Sequence, residues 1–468
     1  MATPVRYDVL VVGGGSAGCV LAARLSENDR RAVCLVEAGP DYGPYAAGTW
    51  PADLLDPGGI PETHEWDPQE SRFSPLRARV IGGCSAHNAC LVVRPPPADF
   101  GAWGDGWSAK ELDPYLDRAQ ATIAPHPLFF QREQLSPWFA GVAAAAAEHG
   151  LPLLDDGNDA PDATGVATGP YNVTNRVRWN AAFAYLDPAR KRANLTIHGD
   201  ALVDRVVAEG ERVTGAVVDG AVVEADAVVL AAGACGSPAI LLRSGIGPED
   251  DLRRADVAVT SALDAVGADL ADHASVKLAF DVSDALRTET RRRGSVPFSN
   301  GIVKARTDLG GDGGFDVHLL PVTSRTGESA HVTVALMAPR SRGRVRLRSR
   351  NPAVSPEIDH SLLSDDGGGD RATLRAGLEL ARDIASSRAM KWLGRPVALD
   401  DEERIESTLG IYFHPVGTCA IGSVVDAGCR VVGFENLYVA DASIMPSIPR
   451  ANTHLTTLAI AERVAERL

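Results

Sequence analysis

Tyr7-Asp-Val-Leu-Val-Val12 is a short apolar run, as suits a strand buried on both faces of a parallel sheet. Val20-Leu-Ala-Ala-Arg-Leu25 follows with helix composition, and Ala32 to Val36 reads as a second buried strand ending at Glu37. Residues 41–76, rich in Pro, Gly, Asp and Trp, predict irregular structure. Helices are expected over 108–123 and 135–149, the second carrying an alanine run suited to close packing. Residues 196–232 alternate like strands and end in Ala227-Val-Val-Leu-Ala-Ala-Gly233, again strand then glycine turn. The stretches 275–281, 315–321, 331–337 and 344–348 predict a mostly antiparallel sheet, punctuated by glycine loops at 310–314 and 367–369. An amphipathic helix is expected over 371–388. A last helix over 453–468 places Leu455, Leu458, Ala459, Val464 and Leu468 on or near one face.

Each bulk property narrows the picture. A chain of 468 residues exceeds one ordinary core and predicts two domains folded together. Its net charge of -15 offers no footprint for phosphate backbones or anionic lipid, so nucleic acid and membrane are not expected partners. The seven cysteines are scattered without a CxxC pair, which disfavours a disulfide framework or a metal site and suits a reducing compartment. No apolar segment is long enough to span a membrane, and the N-terminal run flows directly into glycines rather than a cleavage site. A cytoplasmic location is the expectation.

Candidate chemistry begins at the first turn. Gly13-x-Gly15-x-x-Gly18 lies between the first strand and its helix. Gly13 allows the tight turn, Gly15 lets a pyrophosphate approach the backbone, and Gly18 lets helix and strand pack closely. The helix N-terminus offers free N–H groups to phosphate. Glu37, nineteen residues after Gly18, stands where an acid accepts ribose hydroxyls. This unit predicts dinucleotide binding without separating FAD from NAD.

Further motifs narrow the choice. Ala78-Arg-Val-Ile-Gly-Gly-Cys-Ser-Ala-His-Asn88 resembles the glucose–methanol–choline (GMC) oxidoreductases. So do Gly233-Ala-Cys-Gly-Ser-Pro-Ala-Ile-Leu-Leu-Arg-Ser-Gly-Ile-Gly247, His414-Pro-Val-Gly-Thr-Cys419 and Leu437-Tyr-Val-Ala-Asp-Ala-Ser-Ile-Met-Pro446, which leads into Asn452-Thr-His454. Gly247-Pro248 followed by Gly267-x-x-Leu270-x-Asp272-His273 is similar to the family as well. The resemblance implies FAD rather than NAD, and an α/β fold. A discontinuous Rossmann-like FAD-binding domain (1–125, 190–272 and 415–468) is expected, with an inserted α+β substrate-binding cap on an antiparallel sheet (126–189 and 273–414). It implies cofactor contacts at Gly13, Gly15, Ser16, Ala17, Gly18, Glu37, Ala38, Arg79, Gly83, His87, Asn88, Ala89, Val203, Ala232, Asp441, Ala442, Asn452 and Thr453.

The commonest family reaction is oxidation of an alcohol by hydride transfer to flavin, which requires a base near neutral pKa within reach of the hydroxyl. The resemblance assigns that role to His414, in the turn-prone run Tyr412-Phe-His-Pro, and the second polar group to Asn452. Each residue has an ordinary reading too: His414 as a polar loop histidine, and Asn452 as the N-cap of the last helix. His454 is the alternative second group. His87 is unusual. Choline-oxidising members of the family carry histidine there and hold FAD covalently through it, so a covalent link through His87 is expected as well as a non-covalent reading. Those members also have a serine where this chain has Ala89, and bind the quaternary ammonium with an acid and aromatic residues. The matching stretch here, Val296-Pro-Phe-Ser-Asn-Gly-Ile, has no acid and one aromatic, Phe298, so a neutral primary or secondary alcohol is expected instead of choline. Phe298, His318, Tyr412, Phe413 and His454 are the expected pocket residues. The electron acceptor, oxygen or another, is left open. A lyase of the hydroxynitrile-lyase type and a non-catalytic flavoprotein are the competing readings.

Overall fold

A computed structural model describes residues 6–66, 73, 77–293, 299–310 and 314–468. Its first sheet is parallel where the sequence is most apolar. The strand Tyr7–Val12 lies between Val33–Val36 and the end of Ala221–Leu230, with Val12 opposite both Val36 and Leu230. Leu195–His198 extends this sheet at one edge, and Leu437–Val439 pairs in parallel with Ala221–Leu230. The start of Ala221–Leu230 pairs antiparallel with Arg212–Val218, which in turn pairs with Val203–Glu209. Three separated stretches of the chain, 7–36, 195–230 and 437–439, thus build one sheet of seven strands.

The helix Ser16–Leu25 covers that sheet and is itself covered by the C-terminal helix Thr453–Arg467. Leu455, Leu458, Ile460 and Val464 of the latter are buried in the same core. Their burial stabilises the contact by about 1.5–3 kcal/mol each. A polar clamp fixes the register: Arg24 meets the fully buried Glu462 through two hydrogen bonds of 2.9 Å, and Arg118 approaches the same carboxylate at 3.5 Å.

The second sheet is built from Ala274–Val282, Ala330–Leu336, Val317–Thr323, Ile302–Ala305 and Gly165–Ala167, all paired antiparallel. Gly394–Pro396 and Gly410–Ile411 pair with Ala274–Val282. The helices Pro137–Glu148 and Gly369–Ser386 share a core with one face. Residues of the other face line a large cavity against the first sheet.

The structure departs from the sequence reading in three places. The strand Arg344–Arg346 forms a ribbon with Glu357–Asp359 outside the large sheet, because the chain turns after Pro339 and Gly343 exchanges backbone hydrogen bonds with Leu270. Residues 181–189, assigned to the cap, pack into the core of the first sheet through Ala182, Phe183, Tyr185 and Leu186. Helices Asp284–Arg293 and Asp401–Thr408 were not expected; their charged sequences bury only Leu286 and Thr290, and Arg404 and Ile405. Among the described residues, no helix is long and apolar enough to cross a membrane.

Removing one partner of a buried ion pair costs more than removing an exposed one. Glu462→Ala is therefore expected to destabilise the protein by about 3 kcal/mol and lower its thermal unfolding midpoint, whereas Arg118→Ala, at the exposed end of the cluster, shifts it little. Calorimetry on the two variants measures the difference.

Candidate active site

The first strand ends in a turn that only glycine accommodates. Gly13 has φ +100°, and a Cβ there would stand 2.7 Å from the Ala231 carbonyl oxygen. A Cβ on Gly18 would lie 1.8 Å from the Gly13 oxygen, which is the close helix–strand packing expected of it. Gly15 and Gly83 face each other: with φ +52°, Gly83 would place a Cβ 2.6 Å from the Gly15 Cα. Two backbone turns thus approach with no side chain between them, at the N-terminus of the helix Ser16–Leu25.

Two carboxylates brace these turns. Glu37 accepts from Gly14 N at 2.7 Å and from Gly39 N at 2.8 Å, and burial pushes it up to about 7. Asp441 accepts from Gly233 N at 2.8 Å, Ser237 Oγ at 2.6 Å and Ser443 N at 2.8 Å, tying the turn after Ala221–Leu230 to the C-terminal segment. Ser16, Ala17, Ala38, Val203, Ala232 and Ala442 line the cavity between these braces.

At the other end, Tyr412, Phe413 and His414 form a turn in which Phe413 takes φ +65°, a conformation seldom held by a bulky side chain. Asp272 holds this turn. Its Oδ1 accepts from His414 N at 3.0 Å, and it also takes backbone hydrogen bonds from His273 and Tyr412, while burial raises it to about 7. The His414 ring then meets two partners. Its Nδ1 lies 2.9 Å from His273 Nδ1, and its Nε2 lies 3.0 Å from Asn452 Nδ2. An amide N–H donates, so Nε2 of His414 is the bare nitrogen. Nδ1 then carries the proton and donates it to His273 Nδ1. Burial pushes His414 down to about 3, which keeps the ring neutral.

Asn452 stands at the N-cap position of the last helix, yet its side chain makes no capping bond and reaches His414 instead; Oδ1 is buried without a partner. Asn88 Nδ2 lies 3.3 Å from His454 Nδ1, and Asn88 Oδ1 accepts from Cys90 N. His87 is buried with neither ring nitrogen bonded, and burial lowers it to about 4.

One cavity of about 1280 Å³ connects these parts. It exceeds the roughly 300–1,000 Å³ of a typical small-ligand pocket. Gly13, Gly15, Gly83, His87, Asn88, Ala89, Asp441, Tyr412, Phe413, His414, Asn452, Thr453 and His454 all line it. Three expected residues do not. Gly18 packs helix against strand. Arg79 donates to the Ala38 carbonyl at 2.9 Å and stacks on Trp66. His318 shares its strand face with Leu320 and Val322, which line the cavity, but it is fully buried there, stacked on Phe315 and edge-on to Tyr412, and does not itself line it. Phe298 lies outside the described residues. Asp272 and His273 were missed as site residues, although the motif carrying them was visible. The glycine-lined channel, the helix N-termini at Ser16 and Thr453 and the unpartnered nitrogens of His87 fit the FAD that the motifs imply.

Residues 7–275 and 339–461 match the two parts of the GMC oxidoreductase family. A GMC-type oxidoreductase of Rhodococcus erythropolis is 35% identical, over 98% of this chain and 97% of its own. Choline oxidase of Arthrobacter globiformis is 31% identical over 98% and 94%. Among solved structures, pyridoxine 4-oxidase from Mesorbium loti is 30% identical and covers 99% of each chain with a TM-score of 0.86. A formate oxidase from Aspergillus oryzae, 22% identical with a TM-score of 0.85 over 100% and 98%, shares the fold.

Gly83→Ala would fill the channel at Gly15. An overlap costing about 1–3 kcal/mol weakens dinucleotide binding about 10- to 100-fold. The ratio of flavin to protein absorbance in the purified variant, with folding checked by circular dichroism, measures this.

Proposed function

Since the chain belongs to the GMC oxidoreductase family and is an FAD-dependent oxidoreductase, we propose that it oxidises an alcohol to an aldehyde or ketone, with His414 as base and Asn452 as hydrogen-bond partner. FAD, when bound, supplies the hydride acceptor. The reading is carried by one observation: Asn452 leaves its helix uncapped and meets His414 Nε2 at 3.0 Å, at the wall of the cavity. A hydroxyl seated there takes the place of the Asn452 N–H on the one lone pair of His414 Nε2, and so meets an imidazole acceptor and an amide donor together. His414 Nε2 takes the hydroxyl proton, and the carbinol carbon then releases hydride more readily. Asn452 Nδ2–H donates to the substrate oxygen, and the N-terminus of Thr453–Arg467 favours negative charge developing nearby. His273 accepts from His414 Nδ1–H, holding the ring in the tautomer that leaves Nε2 unprotonated.

The names of two relatives, choline oxidase and pyridoxine 4-oxidase, agree with an alcohol substrate. His87 is the proposed covalent tether of the flavin. Its two ring nitrogens are unbonded at the cavity wall, and burial keeps the ring neutral, so a lone pair is available for the link.

His414→Ala is expected to lower turnover by about 10²–10⁴-fold while leaving bound flavin unchanged. An anaerobic panel of alcohols followed by flavin absorbance reads the reaction directly. Bleaching in the wild type and its loss in the variant support oxidation, turnover without bleaching assigns the lyase reading, and activity unaffected by His414→Ala removes His414 as the base. After acid precipitation the flavin is expected to remain with the protein, and to pass into the supernatant for His87→Ala. Yellow supernatant from the wild type would rule out the tether.

A further inference from the structure

The acids and bases lining the cavity are arranged unequally. Its three described carboxylates are already engaged: Glu37 and Asp441 by backbone N–H groups, and Asp56 by Gly58 N and Arg325. Two lining cations, Lys277 and Arg176, have no carboxylate partner among the described residues. In a chain of net charge -15, the substrate side of the cavity therefore carries unpaired positive charge.

The position of Lys277 gives a length. It lies on the strand Ala274–Val282, opposite Thr333, which is opposite Leu320 on the next strand; all three side chains line the cavity. Alternation along the strand puts Ser275 and Lys277 on the cavity face, in line with His273, while Ala274, Val276 and Leu278 enter the core beneath. Four residues of extended chain separate His273, which touches His414, from Lys277, about 13 Å at 3.3–3.4 Å per residue. Leu91, Tyr171, Ile302, Leu320 and Val322 give the lining an apolar side, while Ser275, Thr333, His331 and Thr408 are its polar groups along and beside the strand of Lys277. Arg176 stands at the tip of the Val173–Arg178 hairpin, itself packed against Tyr171 and Ile302.

We propose that the substrate is an alcohol with an anionic group at the far end of an apolar span, on the order of 10 Å from the reacting carbon, and that Lys277, assisted by Arg176, receives that anion at the cavity mouth. This rests on the alcohol-oxidation reading for its reacting end and replaces the neutral alcohol expected from sequence. Recognition is electrostatic at an exposed rim, so it weakens with salt.

The test compares ω-hydroxyoctanoate with n-octanol on the flavin-loaded enzyme and separately titrates octanoate, which has no alcohol, by calorimetry. ω-Hydroxyoctanoate is expected to have the higher kcat/KM, with the preference falling about fivefold in Lys277→Gln while n-octanol turnover is unchanged, and octanoate binding weakening by the same factor. n-Octanol used as well as ω-hydroxyoctanoate, or octanoate binding indifferent to Lys277→Gln, would overturn the proposal. Octanoate binding that depends on Lys277, with no oxidation of either alcohol, would sink the oxidation reading and leave the anion site standing.

Discussion

The active site depends on a carboxylate far from it. Glu462 has no exposed side-chain surface and is held by the Nε and Nη2 edge of the Arg24 guanidinium. Arg24 belongs to the helix that begins at the first glycine turn, and Glu462 to the helix that begins at Asn452. One ion pair therefore sets two helix N-termini relative to each other. Both point at the same cavity, one beside Gly15 and Gly83 and the other beside His414. A buried pair is a poor source of net stability but a strong constraint on register, since the alternative is an unpaired buried charge.

The remaining constraint is space. Where the two turns meet, backbone faces backbone, and any Cβ at Gly83 would enter Gly15. At the other end, Asp272 gathers the N–H groups of His273, Tyr412 and His414 and so keeps Phe413 in a left-handed conformation. The glycines leave room for a ligand; Asp272 uses a buried carboxylate to keep the turn that carries His414 in shape. Both depart from what local propensity alone would choose, as functional segments do.

Those departures explain what could be read from the sequence. The strand, Gly13-x-Gly15-x-x-Gly18 and Glu37 were legible because each glycine answers a local steric need, and periodicity marked the long helices and the cap strands. His87, His414, Asn452 and Asn88 were legible through motifs. His273 was not assigned, although Asp272-His273 stood in a visible motif, because its role comes from a contact across 141 residues. His318 takes the strand face that its spacing from Leu320 and Val322 gives it, but Phe315 and Tyr412 cover its ring, a contact between separate elements that spacing along one strand does not show. The helices at 284–293 and 401–408 escaped because they bury too few side chains to produce a periodic signal.

Burial pushes His414, His273, His87 and His454 all below the usual histidine value, so the cavity wall holds neutral rings rather than cations. Neutrality keeps a lone pair available, but a strongly depressed base removes protons poorly from an alcohol in isolation. In the proposed reaction, help would come on the acceptor side of the proton transfer and on the oxygen side at once. His273, accepting from Nδ1–H of His414, would stabilise the ring when Nε2 takes a second proton, and Asn452 Nδ2 with the helix N-terminus behind it would stabilise the oxygen that loses its proton. The proposed deprotonation would thereby be divided among groups that are each ordinary. On that reading the bond from Asn452 to His414, rather than either residue's intrinsic chemistry, is what would turn a capping position at the start of a helix into part of the proposed site.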